Sequence, residues 1–188
     1  METTKLTVAK ICHEMAGYLS VIKFIQEDLT DTGAALGSTE FRELSKNLDL
    51  LSLTMEFFRN IYSGYETRKV LLNIMNLRGV GVSDKNDILS NSTGTLQNII
   101  CGMLYILMKS SKVGDDIAIS GDSDCVDIQV PAGRMLPKSV FDALAADDVS
   151  SDAFNIFAKY ISQLATSASF DISLNSNDDH LQMKICKR

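Results

Sequence analysis

The stretch AKICHEMAGYLSVI, residues 9–22, lies within a heptad pattern that sets the fold of the N-terminal part of the chain. Apolar residues recur there at alternating steps of three and four, which is the spacing of a helical-bundle seam. The seam consists of Val8, Ile11, Met15, Tyr18, Ile22, Ile25 and Leu29. We therefore predict a long helix over roughly residues 3–29, with Thr3 or Thr4 as its N-cap.

A second long helix is predicted over roughly residues 39–63. The segment before it, TDTGAALGST, holds two glycines and several turn-forming residues, and Gly64 provides a stop after it. Two long helices joined by a short link pack as an antiparallel hairpin. Because a two-helix piece cannot bury both of its faces alone, we expect two copies to form a dimeric four-helix bundle.

The rest of the chain alternates between strand and helix patterns, which predicts an α+β fold with its helices on one side of a sheet. Residues 66–77 fit either a short helix or an apolar strand. The other predicted elements are a strand at 78–83, helices at 95–110, 136–145 and 152–168, and hairpins at 115–121 with 125–133 and at 170–175 with 180–187. The expected domains are residues 1–66 and 67–188.

Composition narrows the classes of function that the chain can serve. Its 188 residues carry 24 acidic and 18 basic side chains, and this net charge of -6 argues against a nucleic-acid-binding protein. No apolar run reaches the roughly 18 residues of a membrane span, and the N-terminus lacks a signal pattern, so we expect a cytoplasmic protein. The four cysteines are far apart and form no CxxC pair, which predicts reduced thiols and neither a disulfide nor a metal site.

His13 lies on the side of the first helix that the seam leaves free. At about 100° per residue, it is about 160° from the middle of the seam. Its neighbours on that face are small, which would let another protein approach closely, and larger residues lie at either end. The small neighbours are Ala9, Ala16, Gly17 and Ser20, and the larger ones are Leu6 and Phe24. Gly17 within a helix costs about 1 kcal/mol relative to alanine, which suggests a steric reason for it.

Several roles are open to this histidine. It could be a surface residue without a role, whereas a metal site is disfavoured because no histidine or cysteine lies four residues away. A histidine can also carry a phosphoryl group on a ring nitrogen. Glu14 could then orient the ring, and Lys10 could steer an acidic partner. Arg59 would lie at the same end of an antiparallel hairpin and could hold a phosphate or a carboxylate.

AKICHEMAGYLSVI (9–22) resembles the H-box of dimeric histidine kinases, and resembles more closely the ChpT-type histidine phosphotransferases of alphaproteobacteria. TMEFFRNIYSG (54–64) is similar to the end of the second helix in that family, and the resemblance extends over nearly the whole chain. It implies a homodimer with a central four-helix bundle, followed by an α/β sandwich that is like a histidine-kinase catalytic domain but does not bind ATP.

The resemblance also implies a function in a bacterial phosphorelay that regulates the cell cycle. His13 would accept a phosphoryl group from the receiver domain of a hybrid histidine kinase and pass it to the receiver domains of response regulators. Ala9, Lys10, Ala16, Gly17, Ser20, Phe24 and Arg59 would contact the partner. The receiver would carry the Mg²⁺, and this chain would bind neither a metal nor a cofactor.

The segments that would bind ATP in an active kinase are altered. In NIICG (98–102), Asn98 is kept, but Gly102 replaces the asparagine that would hold Mg²⁺ on ATP. PAGRMLP (131–137) replaces an Asp-x-Gly-x-Gly turn, and DAFNIF (152–157) replaces a glycine-rich segment that would cradle phosphate. We therefore expect no phosphorylation from ATP.

The chain also departs from the family near the histidine. Glu14 replaces the usual aspartate, and Gly17 and Tyr18 replace a small polar residue and a proline. Gly17 has no side chain that could position a water, so phosphatase activity is not implied. Two other functions remain open: a non-catalytic dimeric adaptor that binds receiver domains, and an ATP-dependent kinase with an unusual catalytic domain.

Overall fold

The computed structural model of the chain describes residues 2–31, 33, 39–131, 133, 135–145, 153–176 and 181–188. It divides the chain into two compact units, Met1–Leu77 and Arg78–Arg188. The boundary predicted at residue 66 lies in the turn after the second helix. In the structure the boundary along the sequence lies eleven residues later, because a third helix groups with the first two. No helix in the described ranges is both long and apolar enough to cross a membrane.

Three helices make up the first unit: α1 (Glu2–Asp31), α2 (Thr39–Ser63) and α3 (Arg68–Arg78). The first two match the predicted helices closely, and α3 resolves the ambiguous segment as a helix. Lys23 in α1 forms an ion pair with Asp49 in α2 at 2.8 Å, and Gln26 donates a hydrogen bond to Ser45. The later residue of α1 contacts the earlier residue of α2, so the two helices run antiparallel.

The contact between α1 and α2 uses a different face of α1 from the heptad seam. Leu19, Leu48 and Met55 are at most 7% exposed and form a cluster, with Phe58 packed against it. Large apolar side chains of the seam remain between 42 and 52% exposed in the single chain; these are Met15, Ile22, Ile25 and Leu29. Leu44 and Leu51 in α2 are also exposed, at 49% and 42%. These described residues of the seam are therefore an uncovered apolar surface of the single chain rather than the interior of its hairpin.

The second unit is a mixed sheet with helices packed on it, so the prediction of a mixed α+β fold is confirmed. Its elements are β1 (Gly81–Asp84), α4 (Ile88–Asn91), α5 (Gly94–Met108), β2 (Asp116–Gly121), β3 (Cys125–Val130), α6 (Lys138–Ala145), α7 (Ala153–Ser167), β4 (Phe170–Ser176) and β5 (Leu181–Lys187). The strand order is β1-β2-β3-β5-β4. β1 pairs parallel with β2, and the other neighbouring strands pair antiparallel.

The core of this unit lies between one face of the sheet and α5. Every residue of α5 from Gln97 to Met108 is buried, because a helix that is apolar on all sides needs cover all round. Alternate strand residues such as Ile119, Ile128 and Met183 are fully buried on the same face. The opposite face is polar and open; there Gln182 donates a hydrogen bond to Asp127 at 2.6 Å.

Two of the four cysteines are joined in a disulfide, so the prediction of reduced thiols is wrong for them. Cys125 in β3 and Cys186 in β5 are direct partners in the strand register, with their Cα atoms 4.0 Å apart. The two residues are 61 positions apart and lie in different hairpins, and only the pairing of β3 with β5 brings them together. Cys101 is buried in α5 and lies outside any disulfide.

The turn between β2 and β3 requires glycine at position 121. Gly121 has a φ of 114°, and a Cβ built there would collide with the carbonyl oxygen of Cys125. Gly94 also has a positive φ, 57°, but a Cβ there would meet nothing within 4 Å.

We expect Gly121→Ala to lower the free energy of unfolding by about 3 kcal/mol or more, since it combines backbone strain with a collision. Gly94→Ala is the matched control, because it adds only the backbone strain and should cost about 1 to 2 kcal/mol. Urea denaturation of both variants and the wild type measures the difference. Equal losses for the two variants would show that the close approach at Gly121 is not a constraint.

Candidate functional site

All but one of the predicted site residues lie on α1. Ala9, Lys10, His13, Glu14, Ala16, Gly17, Ser20 and Phe24 are in this helix, and Arg59 is in α2. The side chains of Ala9, Lys10, His13, Glu14 and Ala16 lie outside the described part of the chain. For those residues the backbone alone supplies the geometry: α1 is a continuous helix from Glu2 to Asp31, so their order around its axis is fixed.

The described residues on the His13 side of α1 are exposed. Gly17, Ser20 and Phe24 follow residue 13 by four, seven and eleven positions, a spacing that keeps them on one helix face. Gly17 and Ser20 are exposed, and Phe24 is 70% exposed. We call the surface formed by position 13, Gly17, Ser20, Val21 and Phe24 the His13 face.

Val21 belongs to this surface although sequence reasoning did not single it out. It is 59% exposed and lies four residues after Gly17 and three before Phe24. The signal in the sequence is that Val21 is apolar but does not fall on the heptad seam. An exposed valine beside an exposed phenylalanine gives the His13 face an apolar end.

Among the described residues, Gly17 has no neighbour that excludes a side chain. A Cβ built at this position meets nothing within 4 Å. The helix therefore loses stability at Gly17 without any compensating contact inside the chain. Any steric reason for this glycine must come from a molecule that packs onto the His13 face.

Arg59 is level with residue 13 along the hairpin. Lys23 and Asp49 are paired across the two helices, and residue 13 lies ten positions before Lys23 while Arg59 lies ten positions after Asp49. Ten residues of helix cover about 15 Å. Because the helices run antiparallel, ten residues back along α1 and ten residues forward along α2 lead in the same direction, to the same level of the hairpin. Arg59 itself is exposed.

The two α5 positions that the resemblance assigned to ATP binding are buried in the second unit. Asn98 is 4% exposed, and Gly102 is also buried in α5. One turn further on, Tyr105 packs edge-to-face against Phe157 of α7, with ring centroids 5.7 Å apart. Neither Asn98 nor Gly102 lines the cleft of about 430 Å³ that opens beside the start of α5 and the β2–β3 turn.

Among the described residues, the titratable groups with clear pKa shifts lie in the second unit. Burial, and then the nearby Arg78 cation, lower the pKa of Lys109. Hydrogen bonds from the backbone of Cys125 and Asp124 lower the pKa of Asp122 in the β2–β3 turn. Burial raises the pKa of Tyr160. No group of three or more histidine, cysteine or acidic side chains within the described ranges is placed to hold a metal ion.

Comparison with known proteins finds similarity in structure but not in sequence. No protein-family model and no curated protein matches the chain. A solved structure of a bacterial phosphotransferase aligns with 96% of this chain and 96% of its own length, at 14% identity and a TM-score of 0.66. The chain therefore has the fold of that phosphotransferase over nearly its whole length.

Histidine kinases align less closely. The histidine kinase domain of the Erythrobacter litoralis EL346 blue-light-activated kinase covers 97% of this chain and 93% of its own, at 11% identity and a TM-score of 0.43. The cytoplasmic segment of the histidine kinase QseC covers 90% and 93%, at 10% identity and a TM-score of 0.40.

We expect Gly17→Ala to raise the free energy of unfolding by about 1 kcal/mol, because alanine favours the helix and its methyl group meets no atom of the chain. Denaturation of the variant beside the wild type measures this gain. A loss of stability would show that an internal contact excludes the side chain, contrary to the open surroundings of Gly17.

Proposed function

We propose that the chain is a histidine phosphotransferase of a bacterial phosphorelay. His13 accepts a phosphoryl group from the receiver domain of a hybrid histidine kinase and passes it to receiver aspartates of response regulators. The observation that supports this most is the described part of the His13 face, where Gly17 is open and Val21 and Phe24 form an exposed apolar end. Further support comes from the H-box resemblance and from a shared fold with a protein described as a bacterial phosphotransferase.

The chemistry needs little from this chain beyond positioning. A neutral ring nitrogen of His13 attacks the phosphorus of the receiver's aspartyl phosphate; the N–P bond forms as the P–O bond breaks, and the aspartate leaves as a carboxylate. Transfer to the second receiver is the same exchange in reverse. The role assigned to Glu14 is to orient the ring and to offset the positive charge that the ring gains. The receiver supplies the Mg²⁺, so this chain contributes the nucleophile and its orientation.

The His13 face suits a receiver domain in both shape and charge. Gly17 and its small neighbours leave room for close approach, and Val21 with Phe24 adds an apolar contact. Receiver active sites are acidic, and this chain also has a negative net charge of -6, so docking requires local positive charge on this chain. Lys10 and Arg59 provide positive charge at the level of His13, where they steer the receiver and hold the phosphoryl group.

A second copy of the chain covers the apolar seam on the other side of the hairpin. Met15, Ile22, Ile25, Leu29, Leu44 and Leu51 are each more than 40% exposed in the single chain. Such a surface is too apolar to remain in contact with water, and its heptad spacing matches another pair of helices. The resulting dimeric four-helix bundle leaves the two His13 faces on its outside.

We also propose that the chain does not phosphorylate itself from ATP. Gly102 has no oxygen for a metal, and the segment PAGRMLP lacks the glycine-rich turn of a kinase. The second unit then has a structural or docking role, and the chain works without a cofactor of its own in the cytoplasm.

Incubation with a phosphorylated receiver domain and Mg²⁺ tests the nucleophile. We expect acid-labile, base-stable phosphate on the wild-type chain and none on His13→Ala. His180→Ala is the matched control, since it removes the other histidine of the chain and should leave the labelling unchanged.

Three outcomes would overturn the proposal. Full labelling of His13→Ala would place the phosphate elsewhere, and stable binding of the receiver without any transfer would favour the adaptor function. Labelling by ATP alone would show that the chain is a kinase.

Adjacent residues on α1 separate partner docking from dimerisation. Ile25→Glu places a charge in the seam and should raise the dimer dissociation constant at least about tenfold. A tenfold change corresponds to about 1.4 kcal/mol, and burying an unpaired charge costs more than that. Phe24→Glu lies on the opposite side and should leave the dimer intact while slowing transfer by about tenfold or more. Sedimentation and transfer kinetics measure the two effects. Dissociation of the dimer by Phe24→Glu would contradict this division of faces.

A further inference from the structure

We infer that Cys125 and Cys186 form a reversible thiol–disulfide modification site on the open face of the second unit. This inference goes beyond the proposed phosphotransfer and does not depend on it. The two residues are direct partners in the register of β3 and β5. Lys187 donates its backbone N–H to the carbonyl oxygen of Asp124 at 2.7 Å, so Asp124 and Lys187 are a hydrogen-bonded pair. The adjacent pair, Cys125 and Cys186, is therefore a non-hydrogen-bonded pair. Side chains approach each other most closely at such pairs.

The strands hold the two sulfurs near each other without help from the bond. The register of β3 with β5 continues from Cys125 and Cys186 to Val130 and Leu181. Lys187 and Asp124 add an ion pair of 3.6 Å beside the cysteines. Reduction therefore leaves the strands paired, and oxidation needs no rearrangement of the sheet.

The turn before Cys125 also fixes its backbone. The Asp122 carboxylate accepts hydrogen bonds from the backbone N–H groups of Asp124 at 2.8 Å and Cys125 at 3.0 Å. At the other strand, Arg188 follows β5 and pairs with Asp171 of β4 at 2.7 Å. Both ends of the site are thus held by contacts that do not involve sulfur.

The two cysteines are reachable from solvent. Each is half-buried, on the sheet face opposite the fully buried Val126 and Ile185. Cys101 differs, since it is fully buried in α5. Exposure governs which thiols react with small oxidants, so the pair and not Cys101 is the reactive group in the described part of the chain.

A low-molecular-weight disulfide such as oxidised glutathione supplies the oxidising equivalents. One protein thiolate attacks a sulfur of the reagent, whose S–S bond breaks and releases one glutathione thiolate. The second protein thiolate then attacks the protein-bound sulfur of this mixed disulfide, forming the Cys125–Cys186 bond and releasing the second glutathione. The released thiolates take up the two protons, the protein loses two electrons, and the reagent gains two. Excess reduced glutathione reverses both steps.

The bond changes the stability of the second unit. It joins residues that are 61 positions apart and so encloses α6, α7 and β4 in one covalent loop. A closed loop reduces the entropy of the unfolded chain, and the oxidised form should melt at a higher temperature than the reduced form. The redox state of the surroundings thereby sets the stability of this unit.

Redox titration of the full-length protein tests the inference. The chain is equilibrated at a series of ratios of reduced to oxidised glutathione, alkylated, and mapped by peptide mass spectrometry. We expect the Cys125–Cys186 peptide pair to appear and disappear along the same curve in both directions. Far-UV circular dichroism should be unchanged by reduction at 25 °C, while the melting temperature of the reduced form falls by several degrees.

Single substitutions identify the reacting groups. Cys125→Ser and Cys186→Ser should each retain one glutathione as a mixed disulfide and lose the redox-dependent shift in melting temperature. Cys101→Ala is the control and should keep the shift. A bond that persists in excess reduced glutathione, or thiols that stay reduced in excess oxidised glutathione, would overturn the inference. Loss of secondary structure on reduction would also overturn it, since the bond would then be a permanent structural link.

Discussion

The N-terminal unit depends on the packing of Leu19 in α1 against Leu48 and Met55 in α2. This contact fixes the rotation of α1 about its own axis, and the rotation determines which other faces of the helix are exposed. Ile22 and Ile25 of the seam are left exposed to one side, and Val21 and Phe24 of the His13 face are left exposed to another. Under the proposed function, one of these exposed surfaces of the helix would contact a second copy and the other would contact a receiver domain.

The sheet unit depends instead on α5, which is buried from Gln97 to Met108 and contacts α7. That burial places Asn98 and Gly102 inside the fold, whereas the opposite face of the sheet stays polar and open. The two α5 positions that the resemblance assigned to ATP binding therefore differ in location from Cys125 and Cys186, which are half-buried on the opposite sheet face. The α5 positions contribute to packing, and the cysteine pair lies where small molecules can reach it.

Local periodicity was sufficient to predict most elements, but not the contacts between distant ones. The heptads of α1 and α2 and the alternation of the strands can be read directly from the residues. The segment that forms α3 was ambiguous because a short apolar run suits either a helix or a strand. The disulfide was missed because β3 and β5 are neighbours in the sheet but not in the sequence. The Gly17 surroundings and the exposure of Val21 likewise needed the packing of α2 before they could be recognised.

We propose that His13 is a carrier between two receiver domains rather than an end point, and a two-receiver exchange distinguishes these two roles. One receiver is phosphorylated, a second is left unphosphorylated, and the label is followed with and without the chain. We predict that label reaches the second receiver when the wild-type chain is present, and that none reaches it with His13→Ala. Equal transfer with the wild type and with His13→Ala would contradict the account, as would label that remains on the first receiver.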